Sequence, residues 1–548
     1  MNQLYDNYII CAIEELPQTQ ADFLQLKKKL SKKFQLPIPT NANLRDRYNQ
    51  LVKAKKIERS VQFEKILLSR AVRTQSGVAV IAVLTKPSDC PGKCLYCPTE
   101  KGMPKSYLSN EPAVMRAIDS KFDPYLQVQN RLRSLELNGH ATDKIELIVM
   151  GGTFSYFPKT YQTKFITQCF KAANDYPRKI LNFEFRISKI NEKLLREQKR
   201  NEKAKHRIIG LTLETRPDYI DAQEIENFRN LGCTRVELGV QSIYDDVLKL
   251  NKRGHAVGST IEATKMLKDA GFKLNYHMMP GLLGSTPRRD FEMFRALFKN
   301  PDFQPDMLKI YPTVVMRDSE LYTIWKKGNY KPLTDKQFEK MIIKIKNEAI
   351  TPYVRIARLV RDVPLPSIMA GPKVSNLRQL VAHSASCPCI RCREVKNEYQ
   401  IENKIVLDRI DYQASDGKEI FLQYVSPDPP RVDEHGVSRV EAGKQKLFAL
   451  LRLRIPKENN HQHFLKVLRS AALIREVHTY GKLAKIDSKD KNSPQHIGLG
   501  KKLLLEAERI AKEEFGLKKI VVISGVGVRG YYRKNGYRLK DTYMVKDI

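Results

Sequence analysis

From residue 77 to about 370 the chain repeats one pattern: a short apolar run that stops at a glycine, a proline or a cluster of polar residues. Gly77-Val-Ala-Val-Ile-Ala-Val-Leu84 reads as a buried strand. Ile145-Glu-Leu-Ile-Val-Met150 runs into Gly151-Gly152-Thr153, and Arg207-Ile-Ile-Gly-Leu-Thr-Leu213 into Glu214-Thr-Arg216-Pro-Asp218. Arg235-Val-Glu-Leu-Gly239 leads to Val240-Gln241-Ser242, Lys273-Leu-Asn-Tyr276 to His277-Met-Met-Pro-Gly281, and Met307-Leu-Lys-Ile310 to Tyr311-Pro-Thr313. Helix-like stretches separate these runs. The alternation predicts right-handed crossovers and a parallel (β/α) barrel. Such a barrel carries its site at the C-terminal ends of the strands, where Gly151, Gly152, Glu214, Arg216, Gln241 and His277 fall.

The flanks have other patterns. Between Ala21 and Phe34 the apolar residues Phe23, Leu24, Leu30 and Phe34 have helical spacing. Thr40 or Asn41 is placed to cap a second helix with Leu44, Tyr48, Leu51 and Val52 on one side. After residue 405 the runs are strand-like again, in Lys418-Glu-Ile-Phe-Leu-Gln-Tyr-Val425, Lys446-Leu-Phe-Ala-Leu-Leu-Arg-Leu-Arg454 and Ala472-Leu-Ile-Arg-Glu-Val-His-Thr-Tyr-Gly481. Gln495-His-Ile-Gly498-Leu499-Gly500-Lys501 then opens a strongly helical run, followed by the strand-like Lys519-Ile-Val-Val-Ile-Ser524. These shifts divide the chain at 1–76, 77–370, 371–405 and 406–548.

Length and charge sharpen this division. A chain of 548 residues needs several cores. The formal net charge of +35 calls for a polyanionic partner, RNA or DNA before a membrane. Residues 1–75 hold 14 Lys/Arg against 7 Asp/Glu, with lysine runs at 27–29, 32–33 and 53–56. No apolar run reaches membrane-spanning length, and Met1-Asn-Gln-Leu-Tyr-Asp lacks the basic and apolar regions of a secretory leader. Six of the nine cysteines sit in two tight clusters, a distribution that predicts metal binding in the reducing cytoplasm rather than disulfides.

The first cluster, Cys90-Pro-Gly-Lys-Cys94-Leu-Tyr-Cys97, comes directly after the first strand. Three thiolates hold three irons of a four-iron cubane and leave the fourth iron open, as an open position separates catalytic from structural zinc. A zinc knuckle is the competing reading. The spacing resembles the radical S-adenosylmethionine (SAM) family, whose members share an incomplete barrel of about six strand–helix units. The resemblance implies a 4Fe-4S cluster on Cys90, Cys94 and Cys97, with SAM chelating the open iron and Gly151-Gly152 lying against its amino group. The second cluster, Cys387-Pro-Cys389-Ile-Arg-Cys392, is short and turn-like and suits a structural zinc that pins a linker, with His383 the nearest candidate fourth ligand. A second iron–sulfur cluster is the alternative. The glycine loop at Gly498–Lys501 presents a helix N-terminus to a diphosphate. Its place between two strands resembles the GNAT acetyltransferases, where this loop binds acetyl-CoA.

Together these stretches resemble one family, that of the catalytic subunit of Elongator, a tRNA uridine carboxymethyltransferase, in its prokaryotic form. The likeness covers roughly residues 80 to 548. It rests on Cys90–Pro98, Tyr107-Leu-Ser-Asn-Glu-Pro-Ala-Val-Met-Arg-Ala117, Met150-Gly-Gly-Thr-Phe154, Glu214–Tyr219, Arg235–Ser242, His277–Gly281 and Leu308-Lys-Ile-Tyr-Pro-Thr313. It continues through Arg361-Asp-Val-Pro364, Leu473-Ile-Arg-Glu-Val-His478 and Ser524–Tyr537. The implied fold is α/β and multidomain: a basic helical N-terminal domain, an incomplete (β/α) radical SAM barrel, a zinc-bearing linker and a GNAT-type acetyltransferase domain. The implied acetyl-CoA contacts are Lys144 on the barrel side, backbone along Glu476, Val477, His478 and Thr479, the loop Gln495, Gly498, Leu499, Gly500 and Lys501, and Tyr532 near the thioester. Lys144 and Tyr532 are the implied catalytic residues. Leu283 stands where the family often has proline, Gly530 replaces a larger residue, and the insert near 426–443 is long.

The implied reaction installs a carboxymethyl group on C5 of the wobble uridine of a tRNA anticodon. A SAM-derived radical takes hydrogen from the acetyl methyl, and the thioester is then hydrolysed. The implied partners are the tRNA anticodon stem-loop, acetyl-CoA and an unidentified electron donor, without a need for other Elongator subunits. A protein lysine acetyltransferase with a structural barrel, and an RNA-binding sensor of SAM or acetyl-CoA, are the rival readings.

Overall fold

The computed structural model describes residues 2–15, 17–68, 77–178, 189–382, 384–395, 405–426, 431–432, 438–439, 445–457, 460–481 and 498–548. His383, Gln495 and most of the polar insert lie outside the described residues.

Seven strands form one open parallel sheet in chain order: β1 (Ala79–Leu84), β2 (Lys144–Met150), β3 (Arg207–Thr215), β4 (Arg235–Gln241), β5 (Lys273–Met278), β6 (Met307–Ile310) and β7 (Arg355–Arg358). Six are the apolar runs of the sequence. The seventh adds a strand beyond the expected six, and it has no apolar run to betray it. Arg355-Ile-Ala-Arg358 carries arginines that pair with Glu394 at 2.8 Å and Asp362 at 2.6 Å. The sheet does not close, so β1 and β7 are both edges. Glu237 and Gly239 on β4, Asn275 and His277 on β5 and Lys309 on β6 alternate with buried Val236, Leu238, Leu274, Tyr276 and Leu308. That period-2 alternation sends one set into the lumen and the other against the outer helices.

The second sheet contains β8 (Val406–Ala414), β9 (Gly417–Ser426), β10 (Lys446–Ile455), β11 (Ala472–Thr479), β12 (Lys519–Val522), β13 (Arg538–Lys540) and β14 (Tyr543–Asp547), in the order β8-β9-β10-β11-β12-β14-β13. Strands β11 and β12 are its only parallel pair among the described residues. They pair only through Ala472–Ile474, so β11 leaves β12 behind after Ile474. An irregularity against β10 falls at the same point, since Arg452 pairs with Glu476 but Leu453 pairs with Ile474. The extra residue, Arg475, bends the strand and re-aims Glu476–Thr479.

This sheet covers the N-terminal ends of the barrel strands. Tyr543 Oη donates to the Ala270 carbonyl at 2.8 Å, and the backbone at Gly525 and Gly527 lies against Arg207–Gly210 at the start of β3. Arg475 Nη2 reaches Asp306 Oδ2 at 2.5 Å and its Nη1 reaches Glu419 Oε2 at 2.9 Å, all three side chains fully buried. Removing one partner of such a buried set costs about 3–5 kcal/mol, because the others are left uncompensated. The linker ties the same halves together. The Ile390 N–H donates to Val354 O next to β7, and the Val395 N–H donates to Leu447 O on β10, both at 2.9 Å.

At the other end of the chain, helices α1 (Asn2–Glu14), α2 (Gln20–Lys33), α3 (Asn41–Lys53) and α4 (Val61–Ile66) enclose a separate core of Tyr8, Phe23, Leu30, Leu44, Tyr48 and Phe63. Thr40 caps α3 through a bond from the Asn43 N–H. Leu24, expected on the apolar side of α2, is exposed; Leu26 takes its place because it lies three residues after Phe23 and four before Leu30. Lys28, Lys29, Lys32, Lys33, Lys53, Lys55 and Lys56 stand exposed.

Candidate active site

One cavity of about 2280 Å³ runs from the three-cysteine loop, through the barrel lumen, to the second sheet. Its upper wall holds Cys90, Cys94, Cys97, Gly152, Arg216 and Gln241. The lumen adds Glu214, Glu237, His277 and Lys309, and the lower wall Lys273, Arg355, Arg452, Glu476, His478 and Tyr480.

The loop after β1 is pinned by backbone bonds from Leu95 N–H to Asn251 O at 3.2 Å and from Leu321 N–H to Leu95 O at 2.8 Å. Arg253 Nη1 lies 3.5 Å from Cys94 Sγ, and the Gly92 N–H lies 3.5 Å from Cys90 Sγ. Burial pushes the Cys97 thiol up to about 11, so a thiolate trio here needs a cationic partner. The three sulfurs do not gather within 4.8 Å of one another, as those of Cys387, Cys389 and Cys392 do. Sulfurs on one tetrahedral ion lie only about 3.8 Å apart. A wider trio fits ligands on separate irons of a cluster. Two further groups point to a polar ligand beside it. Arg216 Nη1 and Gln241 Oε1 are buried and have no partner, which demands an explanation in a folded protein. Gly151 (φ +132°) and Gly152 (φ +95°) end β2 in backbone that favours glycine. A β-carbon on Gly151 would run into the Thr85 hydroxyl, whereas Gly152 opens on the cavity.

The lumen carries a connected set of charges. Glu237 accepts from His277 Nε2 at 2.9 Å, from Asn275 Nδ2 at 3.0 Å and from Lys309 Nζ. Burial opposes ionisation of Glu237, but Lys309 and His277 outweigh it and hold the carboxyl well below its ordinary range. Glu214 accepts from Tyr107 Oη at 2.9 Å, and burial, only partly offset by Lys309, shifts it upward. Glu214, Glu237 and His277 lie close enough together to ligate a metal ion, but the Lys309 ammonium already sits against both carboxylates.

At the lower end, Glu476 accepts from Arg452 Nε at 2.9 Å and Lys273 Nζ at 3.2 Å. Burial pushes His478 down to about 4, and its Nε2 has no partner. Because β11 has parted from β12, Glu476–Thr479 has no strand on that side among the described residues. The helix Leu499–Arg509 starts there: Thr479 Cγ2 lies 3.6 Å from where a β-carbon on Gly500 would stand. Gly498 is the cap of that helix, at φ +76°. The Leu499, Gly500 and Lys501 N–H groups are therefore those of a first turn, without intrahelical acceptors.

The structure separates several residues that the sequence grouped. Lys144 opens β2, while Gly151-Gly152 closes it, so the two stand about 20 Å apart along the strand. Lys144 does not line the cavity mouth; it lies at the end covered by the second sheet, where it pairs in register with Arg207. Val477 and Thr479 alternate away from the cavity that Glu476 and His478 line. Tyr532 is buried between Tyr531 and Tyr537, with ring centroids 5.4 and 5.9 Å away. It is Tyr531 that touches the loop, its Oη 3.0 Å from a β-carbon built on Gly500. Arg253 and Lys309 went unremarked as well. The only sequence signal for Lys309 was a charge inside an apolar strand.

The Cys387, Cys389 and Cys392 sulfurs converge as for a single metal ion, and no other described residue joins them. Cys387 and Cys389 are buried and Cys392 is exposed.

The radical SAM superfamily matches residues 86–297, and the radical SAM C-terminal domain matches residues 305–385. A tRNA uridine(34) acetyltransferase of Methanocaldococcus infernus is 45% identical over 503 residues, 88% of this chain and 88% of that one. The Saccharomyces cerevisiae Elongator complex protein 3 is 39% identical over 89% of this chain and 86% of its own. A solved structure of the archaeal Methanocaldococcus infernus Elp3, lacking its N-terminus, superposes with a TM-score of 0.69 at 41% identity, over 86% of this chain and all of that one. The chain belongs to this family. Membership carries with it the radical SAM half-barrel and a 4Fe-4S cluster with SAM. The cysteine loop, the orphaned Arg216 and Gln241 atoms and the glycine step are the features of this chain that suit them. No described helix is long and apolar enough to cross a membrane.

Proposed function

We propose that this protein is a cytoplasmic tRNA-modifying enzyme that installs a carboxymethyl group on C5 of the anticodon wobble uridine, using SAM and acetyl-CoA. The observation that carries the reading is the single cavity, which joins Cys90, Cys94 and Cys97 to Glu476 and His478. A 4Fe-4S cluster held by those cysteines, with SAM on its open iron, supplies a hydrogen-abstracting radical. The residues of the chain do the rest. Gly152 and Arg216 lie where SAM would be gripped, and Arg253 steadies the Cys94 thiolate. The unpaired edge of Glu476–Thr479 offers backbone groups to the pantetheine arm, and the first-turn N–H groups at Leu499–Lys501 receive the diphosphate. Lys144, at the end of β2 that the second sheet covers, and Tyr532, packed against the Tyr531 that touches Gly500, are the residues we assign to the acetyl-CoA side. The cavity gives the acetyl methyl a continuous path to a short-lived radical.

The exposed lysines of α2 and at the end of α3 suit the phosphates of the tRNA. Cys387, Cys389 and Cys392 suit a structural zinc that keeps the linker folded between β7 and β10. Reconstitution with iron, sulfide, SAM, acetyl-CoA, a chemical reductant and tRNA, with nucleoside mass spectrometry as the readout, tests the reading. A carboxymethyl group on the wobble uridine is expected, and unmodified uridine beside abundant 5′-deoxyadenosine contradicts it.

A further inference from the structure

We infer that His277 is the base that takes the proton displaced from the uracil ring when the new carbon–carbon bond forms, with Glu237 and Lys309 as its positioning residues. The inference rests on the functional reading above and adds a role that reading leaves open. Substitution at C5 forms one C–C bond and breaks one C–H bond. The incoming carbon brings one electron and the ring double bond gives the other, which leaves an odd electron on the ring. That electron departs to a one-electron acceptor of the iron–sulfur class. The C–H pair then restores the double bond, and the proton needs an acceptor inside the lumen.

Few lumen groups can serve. Among the described residues, the side-chain hydrogen bonds that Glu237 accepts come from His277, Asn275 and Lys309, and its side chain is 0% exposed. Both oxygens of Glu214 face a donor, Tyr107 or Lys309. Glu476 is taken up by Arg452 and Lys273 at the lower end. His277 keeps 17% of its side chain exposed and lines the cavity near the C-terminal end of β5. In its neutral form the ring places its N–H on Nε2, facing the Glu237 carboxylate, and its lone pair on Nδ1, which makes no hydrogen bond among the described residues. Lys309 holds the Glu237 carboxylate, so the carboxylate cannot swing away, and a proton on His277 then completes an ion pair. This is the carboxylate–imidazole arrangement that general bases use. The charged and titratable groups around the ring are Glu214 on β3, Glu237 on β4, Lys309 on β6 with Tyr311 directly after it, Arg358 on β7, and Tyr107 with Arg361 above them.

The test uses the reconstituted full-length enzyme with His277→Gln, whose amide N–H can still donate to Glu237 but which cannot take a proton. Product, 5′-deoxyadenosine and tRNA affinity are measured separately across pH. Carboxymethyluridine formation is expected to fall roughly 100-fold and to lose its decline on the acid side, with 5′-deoxyadenosine and tRNA affinity within about twofold of wild type. Added imidazole is expected to restore part of the product in His277→Ala. Product within threefold of wild type with an unchanged pH profile overturns the inference. So does loss of 5′-deoxyadenosine in step with product, since the residue would then serve radical generation or folding. A wild-type enzyme that makes no carboxymethyl product overturns the functional reading instead.

Discussion

The chain holds two cysteine trios, and their geometry assigns them different work. Cys387, Cys389 and Cys392 draw their sulfurs within 4.8 Å of one another in a linker held by backbone bonds to Val354 and Leu447. Cys90, Cys94 and Cys97 lie on a cavity wall, spread wider, beside buried polar atoms that still lack partners. One trio is gathered tightly enough for a single ion, in a segment bonded to both halves of the molecule; the other is spread as for separate irons. Both trios end in C-x2-C, and they differ only in the first step, C-x3-C in one and C-x-C in the other.

The sharpest way to break this contrast is to remove one sulfur from each trio. Cys94→Ala is expected to lower 5′-deoxyadenosine formation below detection while the thermal midpoint stays near that of the cluster-free parent. Retained SAM cleavage would show that the loop does not hold the working cluster. Cys389→Ala is expected to do the reverse: zinc content falls, the midpoint drops on the order of 10 °C, and SAM cleavage per folded molecule survives. An unchanged midpoint would place the linker trio outside the structural role.

A smaller effect separates two histidines in the same way. Glu237 supports His277, whereas burial pushes His478 down to about 4. The fold therefore keeps His478 neutral. As pH falls from about 6.5 toward 4, the unfolded chain takes up a proton that the folded chain refuses, so this group's contribution to stability is lost across that window. His478→Gln is expected to flatten that part of the midpoint-against-pH curve, read by thermal denaturation. A curve as steep as wild type would mean that His478 already titrates freely in the fold.

Local features were legible in the sequence. The cysteine spacing, the glycine step after β2 and the helix cap at Gly498 each need only a few neighbouring residues. Six barrel strands announced themselves by apolar runs, but Arg355–Arg358 did not, because arginines open and close a strand of only four residues. The contacts hidden from the sequence join segments far apart along the chain. His277 meets Glu237 across 40 residues, and Arg253 meets Cys94 across 159. Lys144 shows the same limit from the other side. The resemblance placed it on the barrel side as an acetyl-CoA contact, and the direction of β2 puts the lysine at the end opposite Gly151-Gly152.

The central claim is that one cavity brings the acetyl methyl to the radical. Acetyl-CoA deuterated at the methyl tests it most directly, in single turnovers with reconstituted enzyme, SAM and tRNA. Deuterium should appear in 5′-deoxyadenosine, and the Cys94→Ala protein should show none. Carboxymethyluridine formed while 5′-deoxyadenosine remains free of deuterium would contradict the account, because the transferred carbon would then have reached the base by a route that does not pass through this cavity.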